Sequence, residues 1–265
     1  MWWSSLFENM RPSDFFNFSF FPKYGTAFVR GIEYTLLLAV VSVLLAVVPA
    51  LLLALMRLSK NKPIKWLAGA YIAVFRSTPM LVQLSIIYYG LFYAISLPRI
   101  TLFGFVDISR FIPGVVALAL NSSAYVAEIF RAGIQSIPKG QNEAARSLGM
   151  NAFQTLLYVM IPQTFRNVLP TLTSEFILLY KDTSLLAAVG VVEIVMNART
   201  IVATTGSITP YVVAALFYLV ITLPLARLVS GLEARLLGTA ETKKKRPTKS
   251  AGQVVATPAD HIAGL

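Results

Sequence analysis

The side chains best suited to chemistry are Lys181, Asp182, Thr183 and Ser184, four consecutive polar residues between two apolar stretches. Asp182 suits an α-ammonium group, whereas Thr183 and Ser184 supply hydroxyl donors and the nearby backbone N–H groups suit a carboxylate. The interruption predicts a broken helix, which exposes backbone groups and charges near the middle of a membrane. In the alternative interpretation, Asp182 only caps the second half-helix and forms a salt bridge with Lys181 or Arg76.

A second polar group stands before another apolar run. Arg76, Ser77 and Thr78 precede Pro79, and the pattern predicts a helix with Pro79 in its first turn and Ser77 or Thr78 as its cap. Arg76 is either an anchor at the membrane interface or a partner for a ligand carboxylate.

A third group interrupts the run that follows. Asn121 and Tyr125 are four residues apart and therefore share a helix face, which predicts a polar path. Ser122 and Ser123 also suit close helix packing. An ionised side chain in the bilayer centre costs at least about 2.5–3.5 kcal/mol, so each one needs a partner or a wet cavity. This requirement applies to charged residues in or beside apolar runs: Glu128, Glu175, Lys181, Asp182, Glu193 and Arg199.

Residues 138–170 form a polar-to-amphipathic segment between long apolar runs. A short helix is predicted over Gln141–Leu148, with Gly140 as its N-cap and Glu143 as the carboxylate in its first turn. Gly149 is expected to end this helix in a left-handed conformation.

A second helix is predicted directly afterwards. Asn151 and Gln154 have the spacing of a capping box, and Pro162 is expected to interrupt the helix that they start. Two short helices joined at a glycine form a compact knob that can dock into a groove of a partner protein.

Composition narrows the class of protein. Hydrophobic residues make up 56% of the 265 residues and charged residues only 13%, which indicates an integral membrane protein. There is no cysteine, and the one histidine is His261, so neither a cysteine metal site nor histidine catalysis within the membrane is expected. The chain lacks G-x-x-x-x-G-K-[ST], so it does not cradle ATP by that motif. No cofactor or metal is predicted.

The apolar runs predict an all-α integral membrane protein with five transmembrane helices. The runs cover residues 34–56, 77–98, 111–134, 172–203 (with the polar interruption) and 211–226. Residues 64–76 are expected to form an in-plane or entering helix, and Pro49 is expected to kink the first span. Residues 1–25 are predicted to be an interfacial N-terminal segment, 26–237 the membrane domain, and 238–265 a disordered basic tail.

Basic residues predict the orientation. With the 138–170 knob inside, the N-terminus lies outside, the C-terminus lies in the cytoplasm, and the inner loops carry most of the lysines and arginines. The inner residues between spans are Arg57, Lys60, Lys62, Lys65, Arg131, Lys139, Arg146 and Arg166. This one-sided distribution accounts for the net charge of +11 without a nucleic-acid partner.

The knob carries a family resemblance. Glu143-Ala144-Ala145, Gly149 and Ile161-Pro162 resemble the E-A-A signature of permease subunits of bacterial ATP-binding-cassette (ABC) importers. Residues 75–79 (FRSTP), 124–129 (AYVAEI) and 181–185 (KDTSL) resemble the branch that imports polar amino acids, and the four motifs occur in the family's order. The resemblance covers roughly residues 25–237.

The resemblance implies a MetI-like type I permease fold in the bacterial cytoplasmic (inner) membrane, with cytoplasmic coupling helices. It implies a polar amino acid as substrate, of the glutamate, aspartate and glutamine class or a basic one. The implied partners are a dimer of ATPase subunits, an extracytoplasmic amino-acid-binding protein, a second permease copy or paralogue, and membrane lipids.

The resemblance and the residue patterns together give two sets of candidate site residues. The ATPase-coupling set is Gly140, Glu143, Ala144, Ala145, Arg146, Gly149 and Pro162. The substrate-pathway set is Arg76, Ser77, Thr78, Asn121, Tyr125, Glu128, Asp182, Thr183 and Ser184.

Two other classes of protein compete with this interpretation. An ion-coupled secondary transporter or channel would predict inverted repeats and would leave the cytoplasmic knob without a role. An intramembrane enzyme would need a nucleophile–base pair or metal ligands, and the chain offers a poor set of both.

Overall fold

The computed structural model describes residues 16–95 and 97–244, with side chains up to residue 235. The main helices are α1 (Phe21–Leu58), α2 (Lys62–Ser77), α3 (Met80–Ala94), α4 (Ile108–Gln135), α5 (Lys139–Ser147), α6 (Ile161–Asp182), α7 (Ile194–Thr205) and α8 (Thr209–Lys244). A helical turn at Ala152–Gln154 and a π turn at Thr155–Met160 precede α6, a 3₁₀ helix at Thr183–Val189 follows it, and α3 contains a π turn at Ile86–Leu91. Strands β1 (Thr101–Leu102) and β2 (Val106–Asp107) form an antiparallel hairpin with Thr101 opposite Asp107.

Within the described ranges, three helices are long and apolar enough to cross a membrane: α1, α4 and Thr209–Arg235 of α8. Two bent pairs also qualify, α2 with α3 at 106° and Ala152–Val189 with α7 at 46°. Counting each bent pair as one span gives five, so the prediction of an all-α membrane protein with five spans is confirmed.

Helices α1 and α4 pack along each other through small side chains. Ser42, Ala46, Ala50 and Ala54 recur every fourth residue of α1 and are all buried. Ala50 and Ala54 share one core cluster with residues of α4, including Ala124 and Ala127. Small residues at this spacing let two helix backbones approach closely.

The predicted break at Lys181–Asp182 is wrong in position. Helix α6 runs through Asp182 and then tightens into the 3₁₀ helix, which ends at Gly190 with a φ of +79°. A left-handed φ suits glycine, and Glu193 then caps α7 by accepting hydrogen bonds from the N–H groups of Val195 (2.8 Å) and Met196 (2.7 Å). Asp182 makes no capping hydrogen bond, so the alternative role as a helix cap is also wrong.

Pro162 does not interrupt a helix. The π turn at Thr155–Met160 comes directly before α6, and Pro162 occupies the first turn of α6, where its missing N–H is tolerated. The rearranged hydrogen bonding of the π turn therefore absorbs the proline without a break.

The ends differ in part from the predicted segments. Helix α1 already begins at Phe21, so residues 21–25 of the predicted interfacial segment are helical. Residues 238–244 of the predicted disordered tail are helical, as the end of α8. Residues 1–15 of the N-terminal segment and residues 245–265 of the predicted tail lie outside the described residues. The residues 64–76 expected as an in-plane or entering helix do form most of α2.

Candidate functional site

A cavity of about 630 Å³ lies between α2, α4 and α6. Its charged and aromatic lining comes from Arg76 of α2, Tyr125, Glu128 and Arg131 of α4, and Glu175 of α6. Three of these residues, Arg76, Tyr125 and Glu128, belong to the predicted substrate-pathway set. The volume is within the usual range for small-molecule sites, about 300–1,000 Å³.

Arg76 lies over the ring of Tyr125, with its guanidinium carbon 5.3 Å from the ring centroid. A guanidinium at this distance gains cation–π attraction, which holds the side chain at the wall of the cavity. Arg76 forms no ion pair within 4.0 Å in the described part of the chain, so its charge is available to a ligand.

The bend between α2 and α3, next to Arg76, is held by hydrogen bonds of two side-chain amides. The Gln83 side-chain amide donates to the carbonyl oxygens of Phe75 (2.8 Å) and Thr78 (2.9 Å), and the Asn121 amide donates to Gln83 Oε1 (2.8 Å). The network joins the end of α2, the start of α3 and the middle of α4. Thr78 and Asn121 therefore hold the bend between α2 and α3, and neither residue lines the cavity.

Neither Ser77 nor Thr78 caps α3 through its side chain. Pro79 occupies the position before α3, and the Thr78 hydroxyl donates back to the Val74 carbonyl (2.7 Å). Ser77 instead lines a second cavity of about 550 Å³, which shares Arg76, Tyr125 and Glu128 with the first.

Glu128 sits between two arginines. Its Oε2 accepts from Arg131 Nε at 2.8 Å, and its Oε1 is 3.7 Å from Arg57 Nε at the end of α1. The side chains are 18–32% exposed, so the cluster is shielded from solvent without being fully buried. It ties the end of α1 to α4 at the rim of both cavities.

Glu175 and Arg131 line the cavity but are absent from the predicted substrate-pathway set, and Glu175 is the more buried of the two. Its carboxylate lines the cavity, the residue is 9% exposed, and it forms no ion pair within 4.0 Å in the described part of the chain. The only signal in the sequence was an isolated carboxylate within an apolar run. No local motif distinguishes it from Glu193, which the structure assigns to capping α7.

Residues 182–184, which were predicted to bind substrate, do not line this cavity. Thr183 is buried and donates to the Tyr180 carbonyl (2.7 Å), while Asp182 is half-buried and forms no ion pair within 4.0 Å among the described residues. Ser184 and Lys181 line a different cavity of about 420 Å³ against α7 and α8. The predicted salt bridge of Asp182 with Lys181 or Arg76 is therefore absent.

The first helix of the 138–170 knob, which is predicted to couple to an ATPase, begins earlier than predicted. Helix α5 starts at Lys139 after Pro138, so Gly140 lies inside its first turn and is not the N-cap. Glu143 consequently lies past the first turn and caps nothing. Proline fits the boundary because it fixes its own φ and disfavours helix at the residue before it.

The end of α5 confirms the glycine prediction. Gly149 has a φ of +82°, its N–H donates to the Arg146 carbonyl (3.0 Å), and the Met150 N–H donates to the Ala145 carbonyl (3.2 Å). This pair of bonds is a Schellman motif. The capping box is confirmed as well, with Asn151 Oδ1 accepting from the Gln154 N–H (2.8 Å) and Gln154 Oε1 accepting from the Asn151 N–H (2.9 Å).

The faces of α5 differ sharply. Gly140, Glu143, Ala144 and Arg146 are exposed, whereas Ala145 is the one buried residue of the helix, which packs on the following π turn. Ala145 thus belongs to the inner face and cannot meet a docked partner directly. Leu148 (83% exposed) and Phe153 (69% exposed) add apolar surface beside the exposed residues.

Comparison with known proteins gives consistent matches. Residues 42–238 match the family described as "Binding-protein-dependent transport system inner membrane component". The chain is 37% identical over 209 residues to the arginine transport system permease protein ArtQ of Bacillus subtilis (strain 168), covering 78% of this chain and 91% of the relative. It is 40% identical over 212 residues to the nopaline transport system permease protein NocM of Agrobacterium fabrum (strain C58 / ATCC 33970), covering 79% and 86%.

Solved structures agree with the fold. An amino acid ABC transporter crystallised with histidines has a TM-score of 0.69 and 43% identity, covering 80% of this chain and 95% of that chain. The MetNI methionine ABC transporter, at 21% identity and a TM-score of 0.58 over 77% of this chain and 95% of its own, supports the fold alone. The chain therefore belongs to the family of inner membrane components of binding-protein-dependent transport systems.

Proposed function

We propose that this chain forms the membrane pathway of an ATP-driven importer of polar amino acids. Members of the family are the membrane components of ABC importers, in which separate subunits hydrolyse ATP, so the permease itself is not an enzyme. The observation that carries the substrate class is the cavity between α2, α4 and α6, because its walls hold both an arginine and a buried carboxylate.

An amino acid presents a carboxylate and an ammonium group at a short, fixed separation. Arg76 is suited to the carboxylate because guanidinium groups bind carboxylates through two parallel hydrogen bonds. Glu175 is suited to the ammonium group or to a cationic side chain, since it has no ion-pair partner among the described residues. Arginine, glutamine and cystine, the amino acids for which three relatives are named, all carry an α-ammonium and an α-carboxylate group.

Uptake tests the proposal. The permease is reconstituted with its ATPase subunits in proteoliposomes, the binding protein is added outside, and uptake of labelled arginine, glutamine, cystine and glutamate is measured. We expect ATP-dependent uptake of at least one of these amino acids. Uptake by the permease alone, without ATP, would contradict the proposal and indicate a secondary transporter.

We further propose that α5 lies in the cytoplasm and docks on the ATPase. In support, the end of α1 contacts α4 near α5, so the basic residues 57–65 lie at the same end of the molecule as α5. Because the chain has no cysteine, Ser147→Cys provides a unique label. A membrane-impermeant maleimide should label it in inside-out vesicles. Labelling in intact spheroplasts would contradict this orientation.

A second permease copy or paralogue is proposed to cover the outer face of α7. Arg199 and Thr200 are exposed there beside small residues such as Ala188 and Ala203, around a cavity of about 490 Å³. An exposed arginine with small neighbours suits a protein interface better than lipid. Thr200→Cys should crosslink through a short bis-maleimide in a homodimer. If the purified complex holds two copies and no crosslink forms, the face is misassigned.

A further inference from the structure

We infer that the corner between α1 and α2 binds the head groups of anionic phospholipids. The surface concerned, here termed the corner patch, consists of Lys60, Lys62, Ile64, Lys65, Trp66 and Leu67. It follows the membrane-spanning α1 directly, after Leu58.

The corner patch projects from the body of the protein. Trp66 is 73% exposed and Leu67 is 59% exposed, and the three lysines are exposed too. Helix α2 packs on the rest of the chain only from Ala68 (1% exposed) onwards. The first turns of α2 therefore have no partner within the described chain.

The charge of the corner patch is uncompensated. The sequence has no acidic residue between Glu33 and Asp107. Among the described residues none of the three lysines forms an ion pair, whereas nearby Arg57 pairs with Glu128. A surface with this charge attracts an anionic partner.

Three apolar side chains stand between and beside the lysines. Because residues three and four positions apart share a helix face, Lys62, Lys65 and Trp66 lie together on one side of α2, and Ile64 and Leu67 lie on the other. Tryptophan prefers the head-group level of a bilayer, and lysine near that level binds anionic lipid. This combination, directly after a membrane-spanning helix, therefore favours a lipid surface over a protein partner. Only the choice of leaflet rests on the proposed function.

Quenching of Trp66 fluorescence tests the inference. Trp2→Phe and Trp3→Phe leave Trp66 as the only tryptophan. The full-length protein is placed in nanodiscs of phosphatidylcholine mixed with brominated phosphatidylglycerol, or of phosphatidylglycerol mixed with brominated phosphatidylcholine. We expect stronger quenching by brominated phosphatidylglycerol and a loss of that preference at high salt. The variant K60Q/K62Q/K65Q should lose preference by about fivefold for each lysine removed.

The matched control is K243Q/K244Q/K245Q, which removes the same charge at residues 243–245, where α8 ends at Lys244. It should keep the preference for phosphatidylglycerol. Equal quenching by both brominated lipids, or an unchanged preference in K60Q/K62Q/K65Q, overturns the inference. Loss of co-purifying ATPase by K60Q/K62Q/K65Q with unchanged quenching would assign the corner patch to the ATPase instead. The assay needs no transport, so it stands apart from the uptake test.

Discussion

The coupling segment and the cavity are built in opposite ways. In residues 139–154, the Schellman motif and the capping box connect residues at most five positions apart. In the cavity wall, contacts join distant parts of the chain, as Arg76 with Tyr125 and Arg57 with Glu128 do. The first can take its shape from local sequence, whereas the second exists only when several helices have assembled. Binding of substrate and coupling to ATP should therefore be separable by mutation.

The largest effect is expected for Glu175→Ala. In the proposed site Glu175 pairs with the ammonium group of the substrate, and removing one partner of such a buried pair costs about 2–5 kcal/mol, so affinity for the substrate should fall by about a hundredfold. The measurement is equilibrium binding of the labelled substrate to the purified complex. Association with the ATPase should be unchanged, because α5 is untouched.

Asp182→Ala is the matched control for Glu175→Ala. Asp182 is two helical turns further along α6 and shares its face, but it lines neither cavity that contains Arg76. We expect the affinity for substrate to fall by less than about threefold, because Asp182 does not line the proposed site. Equal losses in both variants would contradict the assignment to Glu175 and return the site to residues 182–184.

Gly149→Val should affect the other half of the comparison. Its φ of +82° strains any L-residue by about 1–2 kcal/mol, so the segment after α5 should change direction. We expect the amount of amino acid transported per ATP hydrolysed to fall by about tenfold, while the affinity for substrate stays unchanged.

Gly140→Ala is the control for Gly149→Val, because open space surrounds both glycines and only Gly149 has a positive φ. The alanine variant should transport normally. Normal coupling in Gly149→Val would show that the left-handed turn is not required.

A smaller effect is expected for Glu143→Lys. Glu143 is exposed and caps nothing, so the stability of the permease should change by less than about 0.5 kcal/mol. A lost contact with the ATPase should weaken the association about fivefold, measured by surface binding of the purified ATPase. Unchanged association would remove Glu143 from the docking surface.

The smallest effects are expected for two substitutions that change stability, one in a local helix cap and one in a contact between two helices. Asn151→Ala removes the capping box at a cost of about 1 kcal/mol, and we expect faster proteolysis near residue 151 without a change in Tm. Glu128→Gln weakens a contact between α1 and α4, so we expect a lower Tm without new cleavage. The opposite pattern would contradict the division into local and assembled regions.

The sequence predicted what local chemistry determines. Gly149 and Asn151 were assigned correctly because a left-handed turn and a capping box each need only a few neighbouring residues. The start of α5 was misplaced because Pro138 was overlooked in favour of Gly140.

The features that the sequence did not predict depend on contacts between helices that are distant in the sequence. The break after Gly190 was misplaced because Lys181–Ser184 looked like an interruption, although hydroxyl groups can satisfy helix carbonyls, as Thr183 does. The contact of Arg110 with the Gly190 carbonyl joins residues 80 positions apart and has no local signal. Glu175 was missed for the same reason, since its role depends on α2 and α4.

The small residues between α1 and α4 have a mechanical consequence. Because the small residues of α1 and α4 pack in one core cluster, we expect the two helices to move as one unit. The adjoining α6 is clamped to this unit at Gly133, where a Cβ atom would collide with Val168. Under the proposed docking of α5 on the ATPase, we expect movement to bend the chain outside this unit, at the π turn of Thr155–Met160 and at the left-handed Gly190.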